Sequence, residues 1–402
     1  MFKIERKDKM IEISKETQNL KVKAGCEMVY LLTCAVHGTL PEQSEVEQMD
    51  LTHLYLMAKN HSLTAIVCMA LEASDIFSVC KDAQLVKTWK DGKDKAIRKD
   101  LMLDAERKEI LSFMEKNGIW YMPLKGILLK EMYPKLGMRQ MADNDILYDQ
   151  QCQKELVKFM TSRGYKPSHI GKGNHDIYKK APIYNYELHT ALYGAAHDKK
   201  YQKYYRNVKQ RLIKDKDNCF GYHFSQEDFY IYITTHAYKH YNGKGTGLRS
   251  LLDIYMFLQQ EEGNLNWDYI ENELKEFGIM EFERESRELC KKLFSEKPYG
   301  LTQKEWEIFI YYLDSGTYGT MKNSVEKKLR KYQPDKKPVT SVTKIKYYIR
   351  RVIPGMEFYK SHASFVYRHK CLIPFYLVFR LVSGLIRNGK KIGKEIQLVH
   401  KK

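Results

Sequence analysis

The chain has 402 residues, 43% hydrophobic and 29% charged, which excludes a disordered or fibrous protein and allows two or three domains with a full core. Eight cysteines without a CxxC pair exclude a zinc knuckle or redox pair and suit a reducing compartment. The net charge of +18 is concentrated late: 21 Lys/Arg stand against 4 Asp/Glu after residue 320, and 47 against 46 before it.

The opening MFKIERKDKMIEISKET is charged throughout and no apolar run reaches ~18 residues, so a cytoplasmic protein without a spanning helix is expected. Residues 1–117 predict an N-terminal helical region. LTHLYLMAKNHSLTAIVCMALEAS and DAERKEILSFMEKNG carry apolar residues near the 3.6 period, and Gly118 supplies the stop. IWYMPLKG predicts a short strand, and ILLKEMYPKLG a helix ended by Pro134. NDILY predicts a compact strand, and QCQKELVKFMTSRGY an amphipathic helix with Asp149 as N-cap and Gly164 as terminator. HDIYKK and YNYELHTALY predict a hairpin joined at Ala181-Pro182. Residues 118–222 therefore form a small mixed-sheet core, and the fold class is α+β with flanking helical segments. Residues 223–315 predict a helical domain, 316–340 a lysine-rich linker, and 341–402 a basic amphipathic tail. The tail helix opens at Pro374 and is expected to run through Ile386, too short to cross a bilayer.

The chemistry concentrates between 125 and 189. Asp143 and Asp145 share one strand face, roughly 6–7 Å apart along the strand. Two carboxylates so placed repel unless a cation lies between them, and hard oxygen ligands suit Mg²⁺. Lys125 and Gly126 stand where a strand meets a helix N-terminus, a place for phosphate. Arg139 is placed to neutralise a leaving pyrophosphate. Glu187 and His189 share a face, and Glu187 completes a three-carboxylate cluster if its strand neighbours NDILY. His236 and His240 are i,i+4 but lack a third ligand and a following Glu, so a substrate-facing or structural role is expected. Arg249 and Asp253, also i,i+4, predict an ion pair.

The pattern LKG-x₆-YP-x₄-R-x₃-D-x-D-I-L from Leu124, followed by E-L-H at 187–189, resembles the polymerase-β-like nucleotidyltransferase superfamily. Within it the pattern is most similar to the bacterial branch labelled an uncharacterised nucleotidyltransferase family. The likeness is specific from Leu124 to His189 and looser through HAYKHYNGKGTGLRSLLDIY to about 260. It implies a mixed sheet and transfer of a nucleoside monophosphate from an NTP such as ATP to an acceptor hydroxyl, with release of pyrophosphate. It also implies two Mg²⁺ ions, with Mn²⁺ as the substitute, held by Asp143, Asp145 and Glu187. Lys125, Gly126, Arg139 and His189 would then contact the nucleotide. Asn144 and Ala142 depart from the family pattern, which has an apolar residue and a small Gly there. The acceptor stays open among a small molecule, a protein, an RNA and a glycan precursor. A non-catalytic module that binds nucleotide, RNA or an anionic surface is the competing expectation. For the tail three uses stay open: packing on the body, following an RNA backbone, or lying peripherally on an anionic membrane.

Overall fold

The computed structural model describes residues 4–6, 9–11, 20–194, 197–296, 300–333 and 338–401. Leu20–His37 (α1), Leu51–His61 (α2), Thr64–Ala73 (α3) and the 34-residue Ala83–Lys116 (α4) come first. Asp50 and Asp82 cap α2 and α4, their carboxylates accepting first-turn N–H groups. Gly118, at φ +67°, turns the chain out of α4. Tyr121–Pro123 (β1), Asn144–Tyr148 (β2), Gln153–Ser162 (α5), Lys166–Ser168 (β3), His175–Lys180 (β4) and Tyr184–His189 (β5) then build the α/β unit. Asp149 accepts from the Gln151 N–H at the turn into α5, as its sequence position implies. The fold is α+β.

The five strands lie in the order β1-β2-β5-β4-β3, and only the β2–β5 pair is parallel. That pair sets Asp145 against Glu187 and Leu147 against His189, while the β4–β5 hairpin sets His175 against His189. Side chains alternate across a sheet, so the two faces divide cleanly. Ile146, Tyr148, Tyr178, Tyr186 and Leu188 pack in one core with Leu103, Ile110 and Met114 of α4 and Leu156 and Met160 of α5. Asn144 shares that face, fully buried, and its Oδ1 accepts from Arg107 of α4 at 2.8 Å. Its Nδ2 is buried without a partner among the described residues, so only the oxygen of the amide is satisfied. Asp145, His175, Glu187 and His189 point the other way.

They face Gln226–Tyr241 (α6) and Leu248–Glu261 (α7), which Trp267–Phe277 (α8), Met280–Phe294 (α9) and Gln303–Ser315 (α10) support. One apolar core joins Met28, Leu54 and Ile66 of α1–α3 with Tyr230, Phe257 and Phe309 of α6, α7 and α10. The helical regions on either side of the sheet in sequence thus close into one body. The start of the chain is not helical throughout. Ile4–Arg6 pairs with Lys9–Ile11 and runs parallel to Leu301–Thr302.

The segment 316–340 is more than a linker. Met321–Tyr332 (α11) is capped by Thr320 and buries Val325 and Leu329 against Tyr347 of Ser341–Val352 (α12) and Val399 of the final helix. Apolar residues four apart give α11 the face that a linker would lack; positions 334–337 fall outside the described residues. After Met356–His362 (α13) comes Ile373–His400 (α14). The expected end of α14 at Ile386 is corrected. The helix bends at Asn388 and continues, because Arg351 and Tyr347 of α12 hold Glu395 at 2.9 and 2.5 Å. By length and composition Lys370–His400 is therefore enough to cross a membrane, against the expectation that it is too short.

Candidate active site

A cavity of about 620 Å³ opens between the polar face of the sheet and helices α6 and α7. Lys125, Gly126, Arg139, Asp143, Asp145, Glu187 and His189 all line it, so the structure gathers every site residue expected from sequence. His175, Tyr232, His236, Lys239, His240 and Arg249 line it too.

Asp145 is the most constrained carboxylate. Lys125 Nζ donates to Oδ2 at 3.1 Å and His189 Nε2 to Oδ1 at 2.8 Å. Burial pushes its carboxyl up, but Lys125 and His189 outweigh that and hold it well below the usual range. The same His189 nitrogen lies 3.9 Å from Glu187 Oε2, and His175 Nε2 lies 3.4 Å from that oxygen. Glu187 and Asp145 thus converge across the parallel pair. Burial and then the Asp145 and Asp143 charges push Glu187 up to about 7. Burial and Asp145 likewise raise Asp143, which forms no ion pair among the described residues. His175, Glu187 and His189 present ligand atoms within 4.8 Å of one another, and the Nδ1 atoms of both imidazoles are buried without a partner among the described residues.

Lys125 takes φ +40°, a strained conformation for a side chain with a Cβ, and it does so between a strand and the short helix Gly126–Leu129. The turn aims its ammonium at Asp145. Gly126 is required for a reason the sequence does not show: a Cβ there would lie 2.6 Å from Arg139 Nη1.

Arg139 stands apart from its expected role. It is 8% exposed, and its Nε and Nη2 grip both oxygens of Asp253 at 2.7 and 2.9 Å, with Tyr133 donating to Asp253 at 2.8 Å. The guanidinium thus ties the Lys-Gly turn to α7. The expected Arg249–Asp253 pair is corrected accordingly, because Arg139 occupies the carboxylate in a bidentate fork that Arg249 cannot share. Arg249 instead donates to the Gln140 carbonyl at 3.0 Å and faces the cavity.

Two residues escaped the sequence reading. His175 enters through the hairpin register. Lys239, one helical turn from His236 on α6, reaches the cavity and forms no ion pair among the described residues; burial and Lys125 lower it to about 8. His236 and His240 meet edge to face at 4.5 Å between ring centroids, and desolvation keeps both imidazoles neutral at pH 7, His240 at about 4. They form the wall on which Lys239 stands.

Residues 47–295 match the family described as an uncharacterised nucleotidyltransferase. The chain belongs to that family. The match runs from just before α2 through the sheet to the end of α9, so helices on both sides of the strands belong to the matched unit, while α1 and α10 lie outside it. No curated protein and no solved structure matches the chain.

Proposed function

We propose that this nucleotidyltransferase moves a nucleoside monophosphate from an NTP to an acceptor hydroxyl, with Asp143, Asp145 and Glu187 holding divalent cations. The observation that carries this is the parallel register of Asp145 and Glu187 on the wall of a cavity that also exposes Lys239 and Arg249. The donor set fits a dication: Asp143 and Glu187 are crowded carboxylates whose mutual charge burial has not relieved. Such ions, held by Asp143, Asp145 and Glu187, would supply neutralisation of phosphate charge. The imidazoles of His175 and His189 add nitrogen donors, which makes Mn²⁺ as suitable as Mg²⁺.

The chain's own groups divide the remaining work. Glu187, ionised once a cation is held, takes the proton as the acceptor oxygen bonds to the α-phosphorus. The bond between the α-phosphorus and the bridging oxygen to the β-phosphate breaks, and pyrophosphate leaves with that oxygen. Lys239 and Arg249, rather than Arg139, meet its charge. Arg139 and Asp253 hold the turn that presents Lys125.

Purified protein incubated with each labelled NTP, Mg²⁺ or Mn²⁺ and cell extract is expected to pass label to an acceptor; nucleotide binding without transfer under every condition would leave only a binding module. Lys239→Gln is expected to lower kcat/KM about a hundredfold for the NTP. A change within about twofold would make this lysine structural.

Metal affinity offers a separate check. A carboxyl lifted to about 7 must release its proton when a dication binds, so Mg²⁺ affinity should climb as pH rises through 7 and level off above it. Calorimetry in buffers of different ionisation enthalpy should detect that proton, and Glu187→Gln should abolish its release near pH 7.

A further inference from the structure

The C-terminal helices are built inside out. Tyr376, Arg380 and Ser383 form a polar stripe on α14, and it is this stripe that turns inward. Arg380 donates to the carbonyls of Val352 at 2.8 Å and Arg351 at 3.4 Å and lies over the Phe358 ring, while Tyr376 packs on Tyr359. The opposite arc carries Phe375, Val378, Phe379, Val382, Leu385 and Ile386 into the open, with Phe375 74% and Ile386 79% exposed. At 100° per residue these six positions fall within about a third of the helix circumference. α12 repeats the pattern. Val342, Ile345 and Ile349 form an exposed row, while Thr343 and Tyr347 are buried. Fourteen of the 22 exposed large apolar side chains among the described residues lie after residue 340, far more than scattered surface leucines would give.

Charge decides what covers this face. The only acidic residues after 340 are Glu357 and Glu395, and Glu395 is taken by Arg351 and Tyr347. Lys346 and Arg350 flank the exposed row of α12, and Arg368, Arg387, Lys390 and Lys391 are exposed on the segments before and after the apolar arc of α14. Apolar side chains that enter a headgroup boundary, rimmed by cations that meet lipid phosphates, are what an anionic bilayer surface binds. We infer that residues 341–401 seat the enzyme on an anionic membrane surface, with α12 and α14 lying in the interface.

Geometry favours lying over crossing. Helix α14 is interrupted within its apolar stretch by Arg380 and Ser383, so crossing would carry a guanidinium into the hydrocarbon core. Its middle is pinned by Arg380 to the end of α12, and its far end is docked through Glu395 and Val399. Insertion end-on would break all three contacts, whereas lying flat keeps them and covers the exposed arc.

Flotation of the full chain with phosphatidylcholine vesicles, with and without phosphatidylglycerol, tests this. Binding is expected only to the anionic vesicles, weakened by salt and removable by alkaline carbonate. The variant Phe375→Ser/Phe379→Ser/Ile386→Ser changes only exposed positions and should lose at least roughly tenfold in vesicle affinity with an unchanged circular dichroism spectrum. Failure to float with anionic vesicles would overturn the inference, as would equal binding by the triple variant. So would carbonate-resistant insertion, which means a spanning helix, or a stable dimer of the wild type that the variant makes monomeric. RNA binding that outcompetes vesicles and survives the apolar substitutions would also overturn it. None of these outcomes depends on nucleotidyl transfer.

Discussion

Asp143→Asn is expected to reduce nucleotidyl transfer roughly a thousandfold or more, the upper range for loss of one transition-state stabiliser, while the protein becomes no less stable. The two expectations have one source. Burial and Asp145 raise the Asp143 carboxyl, so the folded chain holds that proton more tightly than the unfolded chain. A carboxyl raised on folding makes stability fall as pH rises from the unfolded value through the folded one, and at pH 7 the charge opposes folding. Asparagine removes that opposition. Asp145→Asn should inactivate equally but carry the reverse sign in stability. Its carboxyl is depressed by Lys125 and His189, so its contribution is present above the ordinary carboxylate range and is lost as pH falls. Asparagine leaves the Lys125 ammonium, 17% exposed, without its counter-charge. Thermal melts at pH 7 beside a transfer assay read both. Undiminished transfer in Asp143→Asn would end the assignment, and a stability loss there matching that of Asp145→Asn would make both carboxylates structural.

Much of this site was legible because strand geometry is strict. Asp143 and Asp145 across the start of NDILY, and Glu187 and His189 in YNYELH, stand two apart, and a period of two leaves no freedom over which face they take. His175 was within reach as well. A hairpin turning on Pro182 pairs positions symmetric about 182, which puts His175 opposite His189, as the register has it. What escaped depends on partners distant in sequence. Lys239 reaches the cavity only because α6 crosses the polar face of the sheet, and nothing local to HAYKH fixes that crossing. Arg139 and Asp253 are 114 residues apart, whereas the i,i+4 spacing of Arg249 and Asp253 offered a nearer and wrong partner. The tail misled for a third reason. RNGKKIGKEI carries two glycines and reads as a helix end, but Glu395 and Val399 dock on α11 and α12 and extend α14 past its bend. The edge strand Lys166–Ser168 was missed because three exposed residues that include a proline carry no strand signal until β4 pairs with them.

Arg139→Met is expected to destabilise the protein by about 3–5 kcal/mol, the range for removing one member of a buried ion pair. Asp253 is 9% exposed, and without the guanidinium it keeps only the Tyr133 hydroxyl among its hydrogen bonds. A thioether cannot replace two charge-assisted bonds, and the carboxylate stays in a place that water scarcely enters. Arg139→Lys should recover little, since one ammonium cannot span both oxygens while also resting against the Gly126 carbonyl. Asp253→Asn should cost less than Arg139→Met, because its remaining oxygen still accepts from Tyr133 or Arg139. Urea unfolding with an unchanged slope gives the magnitude. The same variants separate a fastener from a phosphate clamp. A fastener loses stability, and its folded fraction loses turnover through misplacement of Lys125, about equally for every NTP. A clamp would keep its melting temperature and raise the KM for NTP alone. Full stability with that KM rise in Arg139→Met would return Arg139 to the nucleotide and leave Asp253 as its positioning partner.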